Sequence, residues 1–192
     1  MGIEFELKYR ATPELLSEID RAVTGQRQAF SMRTVYYDTP DRALSRKHCT
    51  LRRRMENETS VCTLKMPAGE QGRAEFELEC GSIQTAIPEL CKLSGLLELA
   101  AMTDSLQEIC GAQFERTAIT LDLGDAVVEL ALDQGILMGG GQQIPLCELE
   151  VELKAGSREG AAAYARALAL RYGLVPEKQS KFRRASLLAG GK

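Results

Sequence analysis

The sequence predicts an α+β fold in which an eight-stranded antiparallel β-barrel, a tunnel, is flanked by helices. Three observations carry this prediction. Charged and apolar residues alternate in Glu4-Phe5-Glu6-Leu7-Lys8, in Glu75-Phe76-Glu77-Leu78-Glu79, and in Glu148-Leu149-Glu150-Val151-Glu152-Leu153-Lys154; that is the period of a strand whose two faces meet different surroundings. Eight strand-like segments can be marked along the chain, several of them joined by short turn sequences. Stretches with apolar residues at helical spacing fall between the strands rather than in a block of their own. At 192 residues, 44% hydrophobic and 27% charged, the chain has a globular composition and the length of one domain, taken as residues 1–192.

The first strand covers about residues 3 to 9. Thr12-Pro13-Glu14 supplies an N-cap, a proline at the first helical position and an acid in the first turn. Leu15, Leu16, Ile19 and Val23 form the apolar stripe of that helix, and Gly25 ends it. A second strand runs over 28–38 and closes at Asp38-Thr39-Pro40-Asp41. Three short strands follow at about 49–55, 60–66 and 73–80, with turns at Glu56-Asn57-Glu58 and Pro67-Ala68-Gly69-Glu70. Residues 84–110 carry a helical pattern, read as two helices broken near Ser94-Gly95. Strands resume at about 113–122, 126–132 and 146–154, with a turn at Gly139-Gly140-Gly141. A helix over 158–172 ends at Gly173, leaving a basic tail from Pro176 that looks mobile.

Placed on these strands, the charges are sorted. Glu4, Glu6 and Lys8 share a face; so do Arg52 and Arg54, Thr63 and Lys65, the set Arg73, Glu75, Glu77 and Glu79, and the set Glu148, Glu150 and Glu152. Each set alone is the solvent face of a half-buried strand. Together they differ from ordinary solvent faces, because charged residues dominate and acids and bases keep to separate strands. An eight-stranded closed sheet has room inside for side chains or one small ligand. Turned inward, these faces line a tunnel, and buried charges need partners. A polyphosphate with divalent cations supplies them from both sides. Arg and Lys take phosphate oxygens, while carboxylates hold Mg²⁺ or Mn²⁺. Crowded carboxylates without such a cation should repel, raising one or more of their pKa values. There is no glycine-rich phosphate loop of the Walker type.

The ordered motifs Glu4-x-Glu6-x-Lys8, Tyr36-Tyr37-Asp38-Thr39-Pro40, Leu51-Arg52-x-Arg54, Leu64-Lys65, Arg73-x-Glu75-x-Glu77, Cys147-Glu148-x-Glu150-x-Glu152 and Ser180-Lys181 resemble those of the CYTH superfamily, the triphosphate tunnel metalloenzymes. Within it, the segment from Ala131-Leu132-Asp133 to Glu150 looks most like bacterial inorganic triphosphatases. Those enzymes often carry a second, helical phosphate-binding domain, and the 192 residues are read as the tunnel domain alone. The resemblance implies metal-dependent hydrolysis of inorganic triphosphate to diphosphate and phosphate. It implies Glu4, Glu6, Asp133, Glu148 and Glu150 as Mg²⁺ or Mn²⁺ ligands, with Glu75 and Glu77 in matching motifs. Lys8, Arg52, Arg54, Lys65, Arg116 and Lys181 are implied as triphosphate contacts, with Arg73 and Lys178 in matching motifs. Glu4, Glu6, Lys8 and Lys181 are the catalytic set, Lys181 closing over the phosphate from the tail. Thiamine triphosphatase and adenylyl cyclase activities share the family's fold, and a non-catalytic polyphosphate or nucleotide sensor is the reading from another class. Aromatic residues make up only 5% of the chain, with no Trp, which favours a bare triphosphate over a ligand needing a stacking platform.

Composition narrows the rest. The net charge of -3 argues against general nucleic-acid binding, and the basic run Arg42, Arg46, Lys47 lacks interleaved aromatics. Six cysteines without C-x-x-C spacing and a single histidine, His48, give no zinc pattern. With no signal peptide and no membrane-length apolar run, a reduced, cytoplasmic protein acting on a small molecule is expected. His48, Tyr36, Tyr37 and Arg53 are assigned to loop, packing or surface.

Overall fold

The chain begins, in the computed structural model, with a strand whose partners come from the far end of the sequence; residues 5–68 and 72–190 are described. In order the elements are β1 (Glu6–Arg10), α1 (Pro13–Ala22), β2 (Gln26–Asp38), α2 (Ala43–Arg46), β3 (Thr50–Glu56), β4 (Thr59–Ala68), β5 (Gly72–Glu79), α3 (Ile83–Ser94), α4 (Glu98–Met102), β6 (Gln107–Asp122), β7 (Ala126–Gly139), β8 (Gln142–Gly156), α5 (Arg158–Tyr172), β9 (Val175–Pro176) and α6 (Lys181–Leu188). The strands form one antiparallel sheet in the order β5-β4-β3-β2-β6-β7-β8-β1-β9. The expected alternation is present, but among the described residues there are nine strands, and the two edges do not pair to close a barrel. The ninth, two-residue strand lies along β1 at Tyr9 and Arg10, and its proline cannot donate to a further neighbour.

Alternation divides the sheet into two faces. On one, Tyr9, Ile119, Val128, Leu130, Leu149 and Val151 pack under Leu16 and Ile19 of α1 and Ala161, Ala165 and Leu168 of α5. Farther along the same face, Leu51, Cys62 and Leu64 pack under α3 and Leu99 of α4. The opposite face carries the charges at one end and an apolar floor at the other. There Met32, Tyr36, Phe114, Leu137 and Leu146 receive Ala185 and Phe182 of α6.

Local chemistry explains most element boundaries. Thr12, Ser82, Ser157 and Ser180 each accept a backbone N–H at their helix N-termini. Gly140 and Gly141, both at positive φ, make the two-residue turn that lets β7 and β8 run much longer than their apolar stretches suggest. Two expectations fail. The helical reading to residue 110 is wrong, because β6 starts at Gln107 and pairs through Gln107 to Thr120 with β2; this long-range ladder overrides the local apolar period. The tail, read as featureless, forms β9 and α6. The Tyr36-Tyr37-Asp38-Thr39-Pro40 motif has a structural role here. The Asp38 carboxylate accepts from the N–H groups of Thr39, Leu44 and Ser45 and from the Ser45 hydroxyl, fixing the β2–α2 corner.

Candidate functional site

Antiparallel register brings the acids together. Asp133 on β7 stands opposite Arg116 on β6 and Glu148 on β8, while Glu150 stands opposite Lys8 on β1. Asp133 and Glu148 are 0% exposed. One carboxylate oxygen from each of Asp133, Glu148 and Glu150 falls within 4.8 Å of the others. Their charge is met by three cations. Arg116 donates through Nε and Nη2 to the two Asp133 oxygens, both at 2.7 Å, and through Nη2 to Glu150 at 2.8 Å. Lys181 Nζ donates to Glu150 at 2.8 Å, lies 2.7 Å from Asp133 Oδ2, and pairs with Glu148. Arg184, one turn farther along α6, pairs with Glu148 and sits 3.9 Å from Glu177.

This arrangement sets the protonation states. Burial works against charge on Glu150, but Lys181 and then Arg116 outweigh it and hold its carboxyl well below the usual range. Burial pushes Glu148 up; Lys181 offsets this in part, and the neighbouring Glu150 adds to it. The expected raised carboxyl therefore appears at Glu148, with burial as its first cause. Burial also opposes charge on Lys181, yet Glu150, Asp133 and Glu148 keep it firmly protonated. Lys181 is thus the buried first residue of a helix, seated among acids. The cause is the Ser180 cap together with the packing of Phe182 and Ala185 on the apolar floor.

The basic strands lie across β2 from this cluster. Arg52 and Arg54 of β3 and Lys65 of β4 face the same side as Glu75 and Glu77 of β5. Arg52 Nη2 lies 3.3 Å from Glu75, Arg54 Nη1 3.2 Å from Glu56 and Lys65 Nζ 3.2 Å from Glu75. The buried Nε atoms of both arginines have no hydrogen-bond partner among the described residues. Burial, and then repulsion from Arg52 and Arg116, lower the pKa of Arg54.

The remaining candidates scatter. Lys8 donates to Glu6 at 2.7 Å; burial opposes its charge, but Glu6 and then Glu150 and Glu148 raise its pKa. Arg73 is exposed and donates to the His48 carbonyl and the Thr50 hydroxyl. Lys178 is exposed, between β9 and α6, and Glu77 is exposed at the rim. Glu4 lies outside the described residues. Arg184, Glu177 and Arg10 were missed; Arg10 Nε donates to Glu177 at 2.7 Å. Only the spacing Lys181-x-x-Arg184, one helical turn, hinted that both cations share a face. At the end of the charged face away from α6, a cavity of about 800 Å³ is rimmed by Glu56, Glu58, Glu77 and Glu79, with Phe30 as its single aromatic.

The donor set fits a hard divalent cation, since three carboxylates converge within one coordination sphere's breadth. No helix of the described residues is long and apolar enough to cross a membrane. Residues 2–186 match the CYTH domain. An inorganic triphosphatase of Haemophilus influenzae is 28% identical over 194 residues, covering 96% of this chain and 54% of that protein; the chain spans about half the length of this relative. Among solved structures, a proposed adenylyl cyclase from Hippeastrum with a dominant triphosphatase activity superposes with a TM-score of 0.67 at 18% identity, over 99% of this chain and 97% of that one. The PH1819 protein of Pyrococcus horikoshii gives 0.63 at 20%, over 94% and 97%. These two likenesses concern the fold.

Proposed function

We propose, because the chain belongs to the CYTH domain family, that it is a metal-dependent triphosphatase working on the charged face of its sheet. The substrate is inorganic triphosphate. The observation that carries this is the division of one face into an acid cluster and a set of arginines with buried, unpartnered N–H groups. Arg52, Arg54, Lys65 and Lys8 take the phosphate oxygens, with Arg73 and Lys178 at the margins. Asp133, Glu148 and Glu150, together with Glu6, would hold Mg²⁺ or Mn²⁺, with Glu4 two residues before Glu6 in sequence and Glu75 and Glu77 on the same face at β5. When bound, that ion supplies charge neutralisation and an activated water. A water oxygen bonds to the terminal phosphorus as the bond to the bridging oxygen breaks, giving phosphate, diphosphate and a released proton, and the arginines stabilise charge on the departing diphosphate. The relative from Haemophilus influenzae supports the choice of inorganic triphosphate.

The test is a phosphate-release panel of inorganic triphosphate, thiamine triphosphate and ATP with Mg²⁺, with Mn²⁺ and with chelator. Turnover of inorganic triphosphate should dominate and vanish in chelator. The melting temperature should barely move, because Lys181, Arg116 and Arg184 already neutralise the acids. Undiminished hydrolysis after confirmed metal removal would sink the reading.

A further inference from the structure

Two threonines on the charged face are buried without a hydrogen-bond partner. Thr63 is 0% and Thr34 1% exposed, and neither hydroxyl forms a hydrogen bond among the described residues. An unsatisfied buried hydroxyl is costly, and such groups are rare enough in folded proteins to call for a cause. The cause lies across the strands. Thr63 stands directly opposite Arg52, and Thr34 directly opposite Arg54. Residues so paired share a face with Cβ atoms about 4.5 to 5.5 Å apart. The Nε atoms of those two arginines are also buried and unpartnered. Each arginine with an orphaned Nε–H is thus paired across the strands with a threonine whose hydroxyl is orphaned, and this happens twice.

We propose that Thr63 and Thr34 are positioning residues that orient the guanidinium groups of Arg52 and Arg54 for a phosphate ligand; this rests on the reading of the face as a triphosphate site. Arg52 leans through Nη2 on Glu75 and Arg54 through Nη1 on Glu56, at 3.3 and 3.2 Å. A phosphate group competes with those carboxylates for the outer nitrogens. As the guanidinium turns to present its Nη pair as a fork, Nε–H is delivered to the threonine hydroxyl and the plane is fixed. The device needs arginine, since lysine has no Nε–H set back from its charged end.

The variants are Thr63→Val and Thr34→Val, which keep shape and remove the hydroxyl, with Thr→Ser at each position as the rescue. Inorganic triphosphate binding is measured by calorimetry, alongside KM, kcat and thermal melts. Each valine should weaken binding and raise KM about tenfold, or about 1.4 kcal/mol, with kcat changed much less. The melt should be unchanged or higher, and serine should restore affinity. In an Arg52→Lys background Thr63→Val should have no effect, because the donor it served is gone. Wild-type affinity in both valine variants overturns the inference and leaves the triphosphatase reading standing. Failure of the wild-type protein to bind triphosphate overturns both.

Discussion

The acid wall and the base wall of the charged face are built on opposite terms. On β7 and β8, three carboxylates meet three cations, and every one of Asp133, Glu148 and Glu150 is engaged at hydrogen-bond distance. On β3 and β4, two arginines hold one carboxylate contact each at more than 3 Å and leave buried N–H groups idle. The carboxylates of the acid wall are all engaged within the fold, so that wall should govern stability. The base wall is incomplete without an anion, so it should govern binding. Removing one member of a satisfied buried network strands the rest. Removing a member of an unsatisfied one relieves the fold.

The largest expected effect tests the first half of that contrast. Lys181→Met strips the shared cation from three buried acids and should lower stability by about 3 to 5 kcal/mol, read by denaturant unfolding. A loss within error would mean the acids do not depend on α6. Arg54→Ala tests the other half. It should weaken triphosphate binding by about 1.5 to 3 kcal/mol, while the melting temperature holds or rises because burial and Arg52 already disfavour its charge. A strongly destabilised Arg54→Ala protein would erase the distinction between the walls.

Within the acid wall, Glu150→Gln should cost more stability than Glu148→Gln, each on the order of 1 to 3 kcal/mol, because Glu150 is held ionised while burial pushes Glu148 up. The reverse ranking would move the charge centre to Glu148. The sign for pH follows from Glu150: its folded pKa is depressed, so its stabilisation is present above the ordinary glutamate value and is lost as pH falls through the folded one. The smallest effect is alkaline and lies outside both walls. The thiols of Cys62 and Cys110 are pushed by burial from 9.0 up to about 11 and about 12. Raised pKa values give stabilisation that is whole below 9.0 and is lost as pH rises through the folded values. Cys110→Ala should flatten that decline in a denaturation series across this window; an unchanged slope would assign it to the lysines.

What was legible in the sequence is what depends on neighbours a few residues away. Glu6 and Lys8 on one face, Glu148 with Glu150, and the Thr12 and Gly140–Gly141 boundaries all follow from period and local backbone chemistry. The short helix α6 was hidden because eight residues rich in Lys and Arg look like a solvated tail until an acid cluster exists to receive them. The start of β6 was hidden because Gln107 to Cys110 are strand only by pairing with Tyr36, Tyr37 and Asp38. Thr34 could not be paired with Arg54 before the register of β2 and β3 was known. Alternation does not reveal whether two edges meet, and among the described residues they do not pair.

The placement of β1 has a consequence for how the protein is made. This first strand can pair only with β8 and β9, from the opposite end of the sequence, and Lys181 arrives later still. During synthesis, Asp133, Glu148 and Glu150 emerge before the residue that neutralises them, so the acid wall cannot close until α6 has left the ribosome. Such long-range pairing is slow to find, and in the interval β8 presents an unpaired, acid-bearing edge. The repulsion between those carboxylates then acts as a safeguard, discouraging two nascent chains from joining edge to edge.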